Sequence, residues 1–472
     1  MVIFNGSKKE KVKGLAKYFN YVETIRHNNI ADKTTLKNML GVAWPTLQNA
    51  LEDFEQEGSP ILLKQDGFHL NDEFSIHAGI SVGATQIKLY LCDFRFNPLT
   101  KNYFFEKGLN VIYEKLKQDD IKLTMDKQTD EGVFCYRRED SIDGIVCRLS
   151  KIFECLLEID YKISKLLSVG ISFPGIIDKN NLRIDFSPNI KCLRNVFVKD
   201  LLPNDLWKKL DDREIFVSFE HDTQAASIFE KEALYNDSEK GKSRSSAKNI
   251  CCVYVAAGIG ASLILDNKLC RGSSNSFGEF GHTPSPDLLV EKVKNSMLSE
   301  KEFIDKFSYE GQKPQLADNQ NIDDYKKEER YISPCECGKL ACMENSFRRN
   351  VFDSYDLDNY LNKINKEYDL QEFDKTHPYR YRILKEYIGY MVGLLINFFN
   401  PDMIIFSGRI IWEIKQLQND LNTIRANSAI GIPASNCEIN LGTKKIYSAA
   451  AGTAISSYHC CVKNKSFCDI CW

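Results

Sequence analysis

The segment Gly278-Glu279-Phe280-Gly281-His282, read together with Cys335-Glu336-Cys337-Gly338-Lys339-Leu340-Ala341-Cys342-Met343-Glu344, decides how the rest of the chain is interpreted. Three cysteines spaced C-x-C-x4-C accompany a glycine that lets the loop turn tightly. With an imidazole from elsewhere in the chain they supply the four soft or borderline ligands of a closed tetrahedral zinc site. The plain alternative is a set of buried, reduced thiols with no metal.

The two segments resemble the signature of the ROK family (repressors, uncharacterised reading frames and sugar kinases), in which G-E-x-G-H is followed by C-x-C-G-x-x-G-C-x-E. By that resemblance His282, Cys335, Cys337 and Cys342 bind zinc, while Glu279, His282 and Glu344 face a bound sugar. One departure is large: Cys335 lies 53 positions after His282, several times the usual family gap. Residues 288–331, which fill most of that interval, are rich in lysine and acid and read as a solvated surface insertion.

Composition sets the outer limits. A chain of 472 residues exceeds one core and should divide into about three domains or lobes. A net charge of −3 with 43% hydrophobic residues excludes a uniform polyanion-binding surface, so any DNA contact must be local. Met1–Phe4 is too short for the apolar core of a signal peptide, and the apolar run 387–399 is too short to span a bilayer. The expectation is a cytoplasmic protein with no membrane partner, whose sixteen cysteines are mostly reduced.

Residues 1–18 hold Lys8, Lys9, Lys11, Lys13 and Lys17 against Glu10 alone, which suits either a segment tracking phosphates or a disordered tail. Leu15, Tyr18, Phe19, Val22 and Ile25 then recur at helical spacing. A second helix carries Leu36, Met39 and Leu40 after Asp32, and a third begins at Pro45 with Leu47, Leu51 and Phe54 as its buried stripe. Ile61–Leu70 reads as a hairpin around Asp66-Gly67. Three helices and a hairpin make a winged helix-turn-helix. Its turn, Gly41-Val42-Ala43-Trp44-Pro45-Thr46-Leu47, resembles that of ROK repressors, with Ala43 in place of the usual capping serine. Thr46, Gln48 and Asn49 on the third helix, with Lys37 on the second, are the candidate DNA contacts, and Gln48 and Asn49 suit adenine edges. A winged helix that binds only protein is the alternative, favoured by the acidic Glu52, Asp53, Glu55 and Glu57.

From Ala78 strands and helices alternate. Gly79–Leu91 reads as the opening hairpin of an actin-like lobe, where the family's kinases carry D-x-G-G-T. Here Ser81 stands where the magnesium-binding aspartate would be, and a hydroxyl cannot replace that anionic contact. Ala256-Ala257 likewise replaces the G-T of a second phosphate loop. Val169–Gly175 with Asp178, and Ser187-Pro188-Asn189-Ile190, resemble the two walls of the sugar cleft. Glu220-His221-Asp222-Thr223-Gln224-Ala225-Ala226 resembles E-N-D-A-N-A-A, whose aspartate is the general base in the kinases. Asp222 would be catalytic only in a kinase, and in a repressor it accepts a hydrogen bond from the sugar. Asn400–Gly408 and Ala449–Ala454 resemble the adenosine-side strand and the start of the closing helix. At the C-terminus, Cys460-Cys461 with Cys468 and Cys471 is either a second metal site or a flexible end with free thiols.

The fold class expected is α/β: an N-terminal winged helix-turn-helix (1–72) followed by an actin-like, ribonuclease H-like, two-lobed sugar-kinase-type domain. Its lobes are expected at 78–235 and 249–472. The sugar-binding set is Asn189, His221, Asp222, Glu279, His282 and Glu344. The implied function is a sugar-responsive DNA-binding regulator without kinase activity, using Zn2+, double-stranded DNA and a sugar effector, as a homodimer or homotetramer. The competing readings are an ATP-dependent sugar kinase with an added domain, and a sugar sensor acting through protein partners.

Overall fold

In the computed structural model the residues described are 6–28, 30–118, 132–178, 180–236, 246–256, 258–286, 335, 337, 342–354, 357–443, 445 and 447–464. The insertion 288–331, Ala257, Cys468 and Cys471 lie outside them. Two compact units form: Met1–Cys252 with Ser262–Phe277 and Gly442–Trp472, and Val253–Ala261 with Gly278–Leu441. The C-terminal segment thus belongs to the unit that also holds the N-terminus.

Ser7 opens α1 (Lys8–Lys17) with a capping box: its Oγ accepts from the Glu10 N–H, and the Glu10 carboxylate accepts from the Ser7 N–H. The lysine-rich start is therefore a docked helix, which corrects the expectation of a phosphate-tracking or disordered segment. Lys8 is buried with its Nζ 2.7 Å from Asp160, and Lys17 pairs with Asp53. Burial pulls the pKa of the Lys8 amine down, and the Asp160 charge and the Arg213 carbonyl offset part of that desolvation.

After α2 (Phe19–His27), Asp32 caps α3 (Lys33–Leu40) by accepting from the Thr34 and Thr35 N–H groups at 2.7 and 2.9 Å. Gly41 closes α3 at φ +65°. α4 (Trp44–Phe54) buries Leu47, Ala50, Leu51 and Phe54, so Thr46, Gln48 and Asn49 fall on its exposed side. Strands β1 (Ile61–Lys64) and β2 (Gly67–Leu70) pair antiparallel with Lys64 opposite Gly67. The turn is therefore Gln65-Asp66, one residue before the expected dipeptide. Gly67 sits at φ +130°, where a Cβ would lie 2.2 Å from the Ile30 carbonyl, and only glycine lets the wing close on that segment.

Ala43, at φ −75° and ψ 156°, already has cap geometry but no side-chain acceptor. Ala43→Ser is expected to stabilise the protein by about 1 kcal/mol. Thermal unfolding followed by circular dichroism checks it; an unchanged midpoint would show that Ala43 is not the limiting cap.

The first unit's main sheet has the order β10-β6-β3-β4-β5. Its strands are β3 (Ile76–Val82), β4 (Gln86–Cys92), β5 (Val133–Arg137), β6 (Leu166–Phe173) and β10 (Phe216–His221). β10, β6 and β3 run parallel, whereas β3, β4 and β5 form an antiparallel meander. Every residue of β3 and β6 is buried, as expected of strands covered on both faces. Small strands β7 (Ile176–Asp178), β8 (Arg183–Phe186) and β9 (Val196–Phe197) form a side sheet.

Helix Asp222–Asn236 follows β10 directly and packs along the closing helix Ser448–Lys463. The small residues at the start of the closing helix have a steric purpose. A Cβ on Gly79 would lie 1.9 Å from the Ala450 carbonyl, one on Gly170 2.4 Å from that of Thr453, and one on Gly452 1.7 Å from that of Ala225. Cys460 and Cys461 are buried within this helix. That corrects the reading of the pair as part of a flexible end.

A second five-stranded sheet has the order β13-β12-β11-β14-β15, formed by Lys268–Leu269, Ile259–Leu265, Ile250–Val255, Met403–Ser407 and Glu438–Leu441. β14 and β15 are parallel, with Met403 opposite Glu438. Helix Pro378–Phe399 buries its apolar face in the second unit and ends at Asn400 with φ 43°.

Candidate effector, metal and DNA-reading sites

Gly278–His282 begins a tight single turn, Phe280–His282, in the second unit. A Cβ on Gly281 would lie 2.3 Å from the Ile259 carbonyl, so glycine is what lets the turn seat there. The turn presents the imidazole of His282 to Cys335, Cys337 and Cys342, and the four ligand atoms all lie within 4.8 Å of one another. His282 Nδ1 is 3.6 Å from Cys335 Sγ, and Cys337 Sγ is 3.2 Å from Cys342 Sγ. With Zn–S of about 2.3 Å, the edges of a tetrahedral site measure about 3.7 Å. The first distance is close to such an edge, and the second is shorter, so the sulfurs of Cys337 and Cys342 would move apart to take up an ion.

A donor set of three sulfurs and one nitrogen fits zinc and disfavours magnesium or calcium. Burial pushes the Cys335 and Cys342 thiols up, away from thiolate, and a bound divalent ion is what would reverse that. The other ring nitrogen of His282 is 3.8 Å from Glu279 Oε2, the direction from which a carboxylate orients a metal-binding imidazole.

Glu344 opens helix Met343–Phe352 and is buried. One of its carboxylate oxygens accepts from the Ile259 N–H and the other from Arg348, each at 2.7 Å. Its first task is thus to brace the start of β12, and a lone pair on each oxygen remains for a hydroxyl.

In the first unit β10 ends at His221 and the next helix starts at Asp222. Asp222 Oδ1 accepts from the Thr223 N–H at 2.7 Å, and the Thr223 hydroxyl lies 2.8 Å from His221 Nδ1. This bond reaches only the next residue, not the amides two or three positions on that a helix cap would engage. Asn189 is half-buried on the loop after β8. That loop is tied to the Pro174-Gly175 turn by the Ser187 hydroxyl, which donates to the Pro174 carbonyl at 2.7 Å. Gly175, at φ +132°, has the Phe186 carbonyl 2.0 Å from where a Cβ would be.

A buried network next to Asp222 escaped sequence reading. Arg271 donates to both oxygens of Glu220, with the Nη2–Oε2 contact at 2.7 Å, and to Gln224 Oε1 at 3.0 Å, while Ser456 also donates to Glu220. Burial opposes the charge on Glu220, but the Arg271 guanidinium outweighs it and holds the carboxyl below its ordinary value. Nothing around Arg271 in the sequence marks it, since its partners lie about fifty positions upstream.

The two loops compared with kinase phosphate loops are both braced by side chains. Arg138 donates to the Ala84 carbonyl from Nε at 2.8 Å, and Ser81 is buried within β3. In the second unit the Tyr360 hydroxyl donates to the Ala256 carbonyl at 2.6 Å. On the N-terminal domain Lys37, half-buried, places its amine 5.7 Å from the ring centroid of Trp44, which opens the helix carrying the exposed Thr46, Gln48 and Asn49.

A winged helix-turn-helix joined to an actin-like sugar-kinase-type fold is the class that these features define. The chain belongs to the ROK family, whose sequence profile matches residues 137–455. It is 21% identical over 418 residues to a xylose repressor of Caldicellulosiruptor bescii, covering 82% of each protein. It is 29% identical over 143 residues to the DNA-binding transcriptional repressor Mlc of Escherichia coli, about 30% of each. Among solved structures, a ROK family transcriptional regulator homologous to Escherichia coli Mlc superposes with a TM-score of 0.58 at 14% identity, over 96% of this chain and 98% of that one. A ROK family glucokinase from Streptomyces griseus, solved with glucose and AMPPNP, gives 0.50 at 16% identity over 82% and 100%. Repressor-type and kinase-type proteins thus share this fold.

Proposed function

We propose that this chain is a sugar-responsive transcriptional repressor that binds double-stranded DNA and has no kinase activity. The observation that carries the reading is the N-terminal winged helix, whose exposed Thr46, Gln48 and Asn49 share one chain with a ROK domain bearing Ser81 in place of a metal-binding aspartate. Relatives named as xylose repressors and as Mlc support it. Ala256, whose carbonyl is held by Tyr360, supports the loss of phosphoryl transfer, which depends on electrostatic contacts at such loops.

In this reading Asn189, His221, Asp222, Glu279 and His282 contact the sugar, and Glu344 adds a contact while bracing β12. Lys37, Thr46, Gln48 and Asn49 contact DNA. Zinc held by His282, Cys335, Cys337 and Cys342 would fix the loop that carries Glu279. The domain limits proposed are 1–72, 78–235 and 249–472, with the closing helix Ser448–Lys463 of the last range packed back on the first lobe, in a homodimer or homotetramer whose paired winged helices match paired half-sites. Among the described residues no helix is long and apolar enough to cross a membrane, and the working location is the cytoplasm.

Asp222→Ala should lower sugar affinity about 10- to 150-fold, as expected when a hydrogen bond to a charged group is lost. Operator affinity without sugar should be unchanged. Calorimetry with D-xylose and D-glucose, beside gel-shift titration, reads both; unaltered affinity for a bound sugar would remove Asp222 from the site. ADP release from ATP stimulated by either sugar would instead establish the kinase.

A further inference from the structure

Helix α2 of the DNA-reading domain is fastened to the sugar-binding unit by charged groups rather than by apolar packing alone. His27, at its C-terminal end, places Nε2 3.1 Å from both carboxylate oxygens of Glu232, and both side chains are almost fully buried. The His27 ring also stacks on Tyr235, with centroids 4.0 Å apart and planes at 22°. One turn earlier Glu23 Oε1 accepts from the Tyr458 hydroxyl at 3.2 Å and from Arg26 Nε at 3.3 Å. Arg26 donates to the Phe94 carbonyl at 2.6 Å, with its guanidinium 4.0 Å from the Phe96 centroid.

Burying such ions costs desolvation that their attraction barely repays, so a group of this kind does little for stability and much to enforce one orientation. Burial opposes the charge on His27, but the Glu232 carboxylate outweighs it and holds the imidazole's pKa above its ordinary value. Burial likewise opposes the charge on Glu232, and His27 brings it down to about 2. Both shifts, with the 3.1 Å contacts, favour the charged forms of the two groups.

Glu232 and Tyr235 lie on the helix Asp222–Asn236, whose first residue is Asp222. Ten residues separate Asp222 from Glu232, about 15 Å along a helix. That helix cannot slide freely along the closing helix, because at Gly452 the two backbones touch. A shift imposed at Asp222 must reappear at Glu232.

We propose that His27 and Glu232 are the positioning residues through which sugar binding at Asp222 alters DNA binding, though neither touches sugar or DNA. The proposal rests on the regulator reading above. It assigns the response to one rigid helix and one charged contact at its far end.

The test uses the full chain and an operator fragment recovered from genomic DNA, with D-xylose and D-glucose as probes. His27→Gln and Glu232→Gln each remove a charge while keeping a polar side chain, and His27→Lys restores the cation. Sugar affinity and sugar-free operator affinity should stay within about threefold of the parent in all three. The sugar-induced change in operator affinity, of the 5- to 150-fold size usual for allosteric coupling, should fall below about threefold in the two glutamine variants and return in His27→Lys. Because the His27 pKa is raised by the fold, its charge is complete below the unfolded value and lost as pH rises through the folded one. The response of the parent should therefore weaken with rising pH while that of His27→Lys does not. The other charged or titratable groups facing His27 are Glu23 and Arg26 on α2, Glu232 and Tyr235, and, from the closing helix, Tyr458 and His459. A full response in His27→Gln or in Glu232→Gln overturns the proposal. A parent protein that binds an operator but responds to neither sugar at any pH overturns the regulator reading as well, and is told apart by the unchanged parent.

Discussion

Purified protein is expected to carry one zinc ion per chain, and Cys342→Ser is expected to lose it. Cys342 is the most buried of the four ligands and directly precedes the helix that carries Glu344. Its Sγ also takes part in a 3.5 Å contact with the His282 carbonyl. Structural zinc contributes on the order of 10 kcal/mol where a small domain folds around it. Here the surrounding unit has its own core, so the loss should appear as a lowered unfolding midpoint and a disordered 278–282 turn, with the fold surviving. Sugar affinity should fall because Glu279 and His282 lose their fixed place. Elemental analysis by plasma mass spectrometry, with thermal unfolding before and after dialysis against a chelator, measures both effects. A protein free of zinc as purified, with a midpoint indifferent to added zinc, would return the three cysteines to the plain reading of reduced thiols.

Gly452→Ala is expected to destabilise by about 3 kcal/mol or more. Alanine is favoured over glycine within a helix by about 1 kcal/mol, so propensity alone predicts the opposite sign. The added methyl would stand 1.7 Å from the Ala225 carbonyl and 3.2 Å from the Phe229 amide, and backbone cannot yield as a side-chain end can. Overpacking against rigid neighbours costs about 1–3 kcal/mol and occasionally more, and the closeness of this contact puts it at the upper end. Gly431→Ala is the control, since nothing lies within 4 Å of the position its Cβ would take. Urea unfolding of both variants should give a lower midpoint for the first and an unchanged or raised one for the second. Equal midpoints would mean that the helices separate at little cost, which would also weaken the case for a rigid link from Asp222 to Glu232.

Local chemistry was what the sequence displayed most clearly. The pattern C-x-C-x4-C with G-E-x-G-H led to four ligands that the fold brings within 4.8 Å, across an interval of more than fifty positions. Gly41, Pro45 and the Leu47, Leu51 and Phe54 stripe marked α4 because turn chemistry and helical periodicity are short-range signals. Long-range electrostatics left no such trace. In the sequence Lys8 is one of five lysines suited to a phosphate-tracking or disordered segment, and its partner Asp160 lies 152 positions away. The His27–Glu232 pair spans 205 positions, and Arg271 meets Glu220 in a region with no distinguishing pattern. The same limit applied to Glu344: its motif suggested a sugar contact, while the hydrogen bonds to Ile259 and Arg348 depend on where β12 runs. The small residues at 449–454 were legible as a helix start, but their reason, three backbone contacts with Gly79, Gly170 and Gly452, exists only in three dimensions.

The most direct test of sugar-responsive, sequence-specific DNA binding is recovery of genomic fragments by the 472-residue chain at fixed, moderate salt, with and without D-xylose, followed by sequencing. Salt must be held constant because attraction to phosphates alone can mimic binding. The expected result is enrichment of a few sites with paired half-sites, dependent on Gln48 and Asn49, and a change in that enrichment when an effector sugar is present. Uniform recovery of all fragments, unaltered by alanine at Gln48 and Asn49, would contradict it.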